Sequence, residues 1–356
     1  MDGTMTMPDA PGCAAVAVAA GADHTCALTG DGSVYCWGRG TEGQIGIDPL
    51  TYQCSTNTVY CQKVPGRVAL SPMRALGVGA SHTCAANSTQ AYCWGKNTTG
   101  QYGNGTIVGV TRPMTVPERA GATAIDGGAG HTCSLAGGAL ACSGANAEGQ
   151  VGNMSVAIQP TAVTVMTGVD TFALDSTTSC AIDAAKQLWC WGRNVYKTID
   201  QSAVAKTLPT RVDGINDVEQ IAVGSDHLCA VVGDRRVTCW GRNSKGQLGN
   251  GETSNSAESF TTAAVGGVVE VVASGDHTCV RTQGNGNVYC FGDGYSAVPV
   301  PITTGATRLT AGDNHDCAIF SDGTVRCWGD QQFGQLGNGT DVGGRTQTPQ
   351  LAKLCP

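Results

Sequence analysis

The sequence predicts an all-β fold, a seven-bladed β-propeller of four-stranded antiparallel blades whose ring is closed by the N- and C-terminal strands. Three observations predict it. The chain carries 51 Gly in 356 residues and only 14% charged residues; such a composition suits short elements and tight turns, because Gly costs about 1 kcal/mol relative to Ala inside a helix. Most of its 18 cysteines fall into pairs nine to eleven residues apart. The segment around those pairs recurs seven times, with first cysteines at Cys26, Cys84, Cys133, Cys180, Cys229, Cys279 and Cys317, a period of roughly 48 residues.

Each unit reads as strand, turn, strand. The run His24-Thr25-Cys26-Ala27-Leu28 leads into Thr29-Gly30-Asp31-Gly32, and Val34-Tyr35-Cys36-Trp37 returns. Asp-Gly between two alternating runs is a strong hairpin signal. Pairing about Asp31 sets Cys26 opposite Cys36, and opposed residues have Cβ atoms about 4.5–5.5 Å apart, close to what a disulfide tolerates. The same register predicts Cys84–Cys93, Cys133–Cys142, Cys180–Cys190, Cys229–Cys239, Cys279–Cys290 and Cys317–Cys327. An apolar strand such as 218–223 lies upstream of each hairpin, and a Pro-led segment such as 208–212 lies before that. Four short strands per unit make a propeller blade.

The two termini complement each other. The first unit has its inner apolar strand, residues 14–20, but no Pro-led strand before it; residues 348–355 match the missing piece. Laid on the fifth unit, the two ends bring Cys13 beside Cys355, so a Cys13–Cys355 bond is expected where the ring closes. Chain-entropy models give such a long loop somewhat over ~4 kcal/mol. Cys54–Cys61 then staples an insertion at residues 48–65, and no thiol is left as a nucleophile. The expected organisation is a flexible segment at 1–11 and a single propeller over 12–356.

Cysteine usage also points to a compartment. Zinc sites use short C-x2-C pairs, and none occurs here. The pattern reads instead as disulfides made in an oxidising compartment: extracellular, cell-surface or periplasmic. A net charge of −7 without a basic run disfavours nucleic acid and anionic membrane surfaces as partners. No segment approaches ~18 consecutive apolar residues, so no membrane span is expected. Residues 13–20 follow Asp2 and Asp9, where a signal peptide needs positive charge, and read as a strand. Export is therefore inferred from thiol chemistry alone.

The best-formed units read GADHTCALTGDGSVYCWGRGTEGQIG from Gly21, GSDHLCAVVGDRRVTCWGRNSKGQLGNGE from Gly224 and GDNHDCAIFSDGTVRCWGDQQFGQLGNGT from Gly312. This string resembles the repeat of the regulator of chromosome condensation family, and the likeness runs from Gly12 to the C-terminus. The resemblance implies a seven-bladed propeller. It does not fix a function, because the family includes a guanine-nucleotide exchange factor that binds chromatin, a plant ultraviolet-B photoreceptor and secreted bacterial proteins, one of them an inhibitor of β-lactamases. Family repeats usually carry small or apolar residues where this chain has Cys, which aligns it with a secreted, disulfide-rich, bacterial-type member. Unit three has Ser143 and unit six Phe291 in the Trp position. Unit four is read as having Ser179 in place of the His, and units four and six lack the Gly-Gln-Leu-Gly ending.

All six histidines, His24, His82, His131, His227, His277 and His315, share one repeat position. A ring of converging imidazoles would be a metal site; propeller symmetry keeps equivalent side chains apart, so each is read as a half-buried structural residue bridging backbone groups. The residues read as preceding them, Asp23, Ser81, Gly130, Thr178, Asp226, Asp276 and Asn314, form a partly acidic rim, of which Asp23, Asp226 and Asp276 are candidate binding residues. Trp37, Trp94, Trp191, Trp240 and Trp328 follow the second Cys of a unit and are expected to pack between blades. Trp189 stands outside that pattern. Gly38-Arg39-Gly40-Thr41-Glu42-Gly43 matches G-x-G-x-x-G, but no helix follows to hold a pyrophosphate. Catalytic signatures are missing as well, and neither a metal nor a cofactor is expected. The insertion at 48–65 carries Tyr52, Tyr60 and Lys63; a disulfide-ordered loop loses less entropy on binding. These features predict a monomeric, non-catalytic scaffold, inhibitor or adhesin that binds another protein through one propeller face and the 48–65 loop. The alternatives are a lectin-like module that binds a glycan, and nucleotide exchange on a small GTPase.

Overall fold

The computed structural model describes residues 13–47, 53–54, 59–341 and 344–354. Among these residues the chain forms seven four-stranded antiparallel sheets, each contiguous in sequence. They span 15–67, 75–115, 124–167, 169–211, 218–262, 268–303 and 306–351, and are called blades one to seven. No described helix is long or apolar enough to cross a membrane. In blade one the strands Ala15–Ala20, His24–Thr29, Val34–Arg39 and Cys61–Arg67 pair in that order. First strands from all seven blades line a central channel. Antiparallel order sends the connections from first to second strand and from third to fourth strand to one end of each sheet, here the upper face. The second-to-third hairpins lie on the lower face.

The hairpins follow from their turns. Asp31 Oδ1 accepts hydrogen bonds from the Thr29 hydroxyl at 2.6 Å and the Ser33 amide at 2.9 Å. Gly32 holds φ +84°, where a Cβ would also collide with Pro72 and Met73. The resulting register sets Cys26 opposite Cys36, and all seven units repeat it. The seven hairpin disulfides form with Cα atoms 4.0–4.1 Å apart, and Cys54–Cys61 is also bonded. Cys13 is disulfide-bonded; its expected partner Cys355 lies outside the described residues, as do residues 1–12.

One expectation about grouping is corrected. The Pro-led strand does not open a unit, as the order of segments suggests: Lys206–Arg211 pairs with the third strand of blade four and so ends that blade. By the same rule the C-terminal strand Thr346–Leu351 completes blade seven rather than blade one. The ring closes through contacts between those two blades: Ala15 N donates to Gly323 O at 3.0 Å, and Trp37 Nε1 to Gln335 O at 2.8 Å.

Apolar side chains fill the gaps between blades. Ile182 and Leu188 of blade four pack with Val218, Ile221 and Trp240 of blade five. Ala15, Ala27 and Trp37 of blade one pack with Ile319, Val325 and Leu336, completing the ring. Every blade therefore buries its apolar surface against two neighbours, so its stability depends on both.

Candidate functional site

The histidines bind the ring together. Each is fully buried, not half-buried, and each reaches a side chain of the next blade instead of backbone groups. His24 Nε2 meets Thr83 Oγ1 at 3.0 Å, His82 meets Thr132 at 2.7 Å, His131 meets Ser179 at 2.9 Å, His227 meets Thr278 at 2.8 Å and His315 meets Thr25 at 2.6 Å. Four of these hydroxyls donate onward to a glutamine carbonyl: Thr83 to Gln44, Ser179 to Gln150, Thr278 to Gln247 and Thr25 to Gln335. A hydroxyl has one proton to give, so in these four relays the imidazole Nε2 must be the donor. The five Nδ1 atoms are buried without partners. Burial accordingly pushes His24, His82 and His227 down to about 3, and His131 and His315 to about 4. His277 differs by donating to the Asp316 carboxylate at 2.9 Å.

Blade four breaks this pattern, and the correction is positional. Thr178, not Ser179, stands in the histidine position, opposite Gly192 as His24 stands opposite Gly38. Ser179 takes the hydroxyl position and receives His131. The residue preceding the histidine position is then Thr177. The structure also exposes a paired exchange. In five other blades a glycine three residues before the histidine leaves room for the ring, since a Cβ on Gly21, Gly79, Gly128, Gly224 or Gly312 would collide with the imidazole. Blade four has Asp175 at that position.

The tryptophans pack between blades. Trp37, Trp191 and Trp240 donate to Gln335, Gln150 and Thr198 carbonyls of the preceding blade. Blade three lacks its Trp, and the buried Arg119 occupies the space. It donates to Tyr102 O at 2.8 Å, Ser134 Oγ at 2.9 Å and Ser143 Oγ at 2.5 Å, and also reaches the carbonyls of Gln101 and Thr132. Sequence reading missed this residue, although a small Ser143 in a tryptophan slot signals that something else must fill it. Trp189, outside the repeat, donates to Asp183 Oδ2 at 2.9 Å on the hairpin.

The candidate binding residues lie on the upper face, already engaged. Asp23 pairs with Arg39 at 3.1 Å. Asp226 pairs with Arg193 at 3.3 Å and with Arg242 at 3.7 Å, and Arg242 also reaches Asp276 at 3.7 Å. Burial pushes Asp23 and Asp226 up despite those arginines. Lys63 bonds Asp341 at 2.8 Å and so ties blade one to blade seven. Tyr60 is half exposed beside the Cys54–Cys61 staple; Tyr52 lies outside the described residues. Two clusters of ligating side chains, Cys54/Cys61/Asp341 and His277/Cys279/Asp316, have their sulfurs committed to disulfides.

Two further features share that face. Ile107 and Val108, Met154 and Val156, and Val195 and Val204 are exposed on the third-to-fourth-strand connections of blades two, three and four. The axial channel, about 180 Å³, is walled by Ala, Gly, Val and Leu with three carboxylates, Asp126, Asp175 and Asp313.

Comparison with known proteins agrees with this architecture. Models of the regulator of chromosome condensation (RCC1) repeat match residues 15–44, 218–247, 268–296 and 306–335, and a second set matches 31–86, 90–135 and 236–281. The ultraviolet-B receptor UVR8 of Arabidopsis thaliana is 30% identical over 111 residues, covering 26% of this chain and 25% of the receptor. The chain thus spans about a quarter of that relative's length. Human WBSCR16 superposes with a TM-score of 0.77 at 20% identity, covering 90% of this chain and 94% of that one. Yeast RCC1 (Prp20), solved bound to Kap60, superposes at 0.76 with 19% identity, covering 99% and 89%. The structural likenesses establish the fold, and with the repeat matches across well over half of the sequence they place this chain in the regulator of chromosome condensation repeat family.

Proposed function

We propose that this protein is a non-catalytic protein-binding scaffold exported to an oxidising compartment, at the cell surface, outside the cell or in a periplasm. Eight disulfides among the described residues support the compartment. The observation that carries the binding role is the row of large aliphatic side chains standing in solvent on one face of three consecutive blades. Propeller packing does not require them there, and exposed apolar patches mark interaction surfaces. Exposed Tyr60, just before the fourth strand of blade one and on the same face, supports including the 48–65 loop in that interface. A family propeller solved in complex with a protein, yeast RCC1 with Kap60, supports the same reading by analogy.

The test is affinity capture from secreted and cell-envelope proteins, run in parallel with wild type and with a Val108→Asp/Met154→Asp/Val156→Asp variant. A partner retained by the wild type and lost by the folded variant is the expected result. A partner bound equally by both would move the interface elsewhere, and capture of nothing would remove the binding role. Mass spectrometry under non-reducing conditions tests the compartment separately, because a chain with free thiols throughout would not have been exported.

A further inference from the structure

We propose that the upper mouth of the axial channel binds an alkylammonium group, such as the side chain of a lysine presented by the partner; only the source of that group rests on the protein-binding reading. Three blades contribute acids to the channel lining: Asp126 from blade three, Asp175 from blade four and Asp313 from blade seven. Lys, Arg and His are missing from that lining, so its charge has one sign. Ser274 Oγ donates to Asp313 at 3.1 Å, and the Leu174 and Gly127 amides donate to Asp126 at 3.1 and 2.9 Å.

Asp175 is the exception. It is only 8% exposed, and its Oδ2 has no hydrogen-bond partner. A buried carboxylate oxygen left unpaired is costly. The ring has a cheaper solution, since five other blades fill the same space with a glycine and an imidazole. Blade four gave up both and carries Asp175 with Thr178. Burial and the neighbouring Asp313 hold Asp175 well above the usual carboxylate range, only partly offset by the Ser176 and Gly275 amides, and a bound cation would relieve this.

The geometry selects an ammonium over a bare metal ion. Among the described residues the clusters with ligating atoms within 4.8 Å of one another lie elsewhere, and none includes these three acids. Acids spread over three blades suit an ammonium, whose three N–H donors point apart. The Ala, Val and Leu walls between them suit its methylene stem.

The experiment titrates the full chain with n-butylammonium chloride and reads backbone amide NMR shifts, with 1-butanol and calcium chloride as parallel arms. Saturable shifts at Leu174, Ser176 and Gly275 with butylammonium, and none with butanol, are expected. Asp175→Asn should weaken the response at least about tenfold, the equivalent of one charged contact. Asp175→Gly/Thr178→His, which restores the pattern of five other blades, should fold and also lose the response. Lack of saturation by butylammonium, an undiminished response in either folded variant, or saturation at lower concentration by calcium would each overturn the proposal. None of these outcomes bears on whether the aliphatic crescent binds a protein.

Discussion

The indole of Trp240 donates to the Thr198 carbonyl at 2.7 Å, whereas the equally buried Trp94 nitrogen has no acceptor. Replacing each by Phe keeps most of the volume and separates hydrogen bonding from packing. Trp240→Phe should cost about 1 kcal/mol in denaturant unfolding and Trp94→Phe less. A larger loss at Trp94 would show that packing dominates at both. Arg119 allows a sharper comparison. Arg119→Ala should cost about 3 kcal/mol, from the cavity and the acceptors left behind. Ser143→Trp added to Arg119→Ala should recover a good part of it, because five of the other six blades fill that slot with an indole. A double variant as unstable as Arg119→Ala would mean that the guanidinium does more than fill space. The tryptophans were legible because they recur. Arg119 was not, because the compensating residue sits 24 positions from Ser143 in a short 3-10 turn.

The hairpins are the elements most plainly written in the chain. Turn chemistry at Asp31-Gly32 fixes the register, and the register alone places Cys26 on Cys36. Where a blade begins was harder to read. Blades three and four are separated by the single residue Gly168 at φ +73°, while third and fourth strands are joined by long connections. An outer strand therefore sits closer in sequence to the blade it precedes than to the hairpin it pairs with. The one-residue slip in blade four was avoidable: Thr177, Thr178 and Ser179 are all small polar residues, but Thr178 lies two residues before Cys180 as each histidine lies two before its cysteine, and pairing with Gly192 agrees. The hairpin disulfides can be tested one at a time. Cys26 and Cys36 are ten positions apart in the chain, so replacing both with Ala should cost about 2.5 kcal/mol on chain-entropy grounds. Reducing all of them together should unfold the protein, since the summed loss exceeds the 5–15 kcal/mol typical of a folded domain. Retention of native near-ultraviolet circular dichroism after complete reduction would contradict this.

For the ring as a whole, acid is the sensitive variable. Five imidazoles titrate at about 3 to 4 when folded, against 6.5 ordinarily. Between those values the unfolded chain binds more protons, so stability is full above pH 6.5 and falls as pH drops, by up to about 1.4 kcal/mol per unit for each imidazole. The carboxyls raised by burial, Asp126 to about 7 and Asp23, Asp175 and Asp226 also upward, act in the opposite sense and lose stability as pH rises from the ordinary carboxylate range. Between pH 4.5 and 7 the five imidazoles outweigh them. The thermal midpoint should therefore be clearly lower at pH 4.5 than at pH 7; a flat or rising profile would show that those histidines are not held neutral. The upper face was only partly readable at this scale. Its rim aspartates stood out in the repeat, and Arg39, Arg193 and Arg242, which neutralise them, share one repeat position three residues after the second Cys; the acids of the channel come from positions that no period connects.

Between blades four and five no imidazole crosses over; Thr178 and Leu228 occupy the positions, and an apolar cluster joins the two sheets. That seam is blind to protons. As the medium sours, the five imidazole junctions should loosen in turn while this pair stays fused, so amide exchange at pH 4 should persist longest in residues 169–262. A toroid built this way should open in acid like a bracelet hinged at its one greased link.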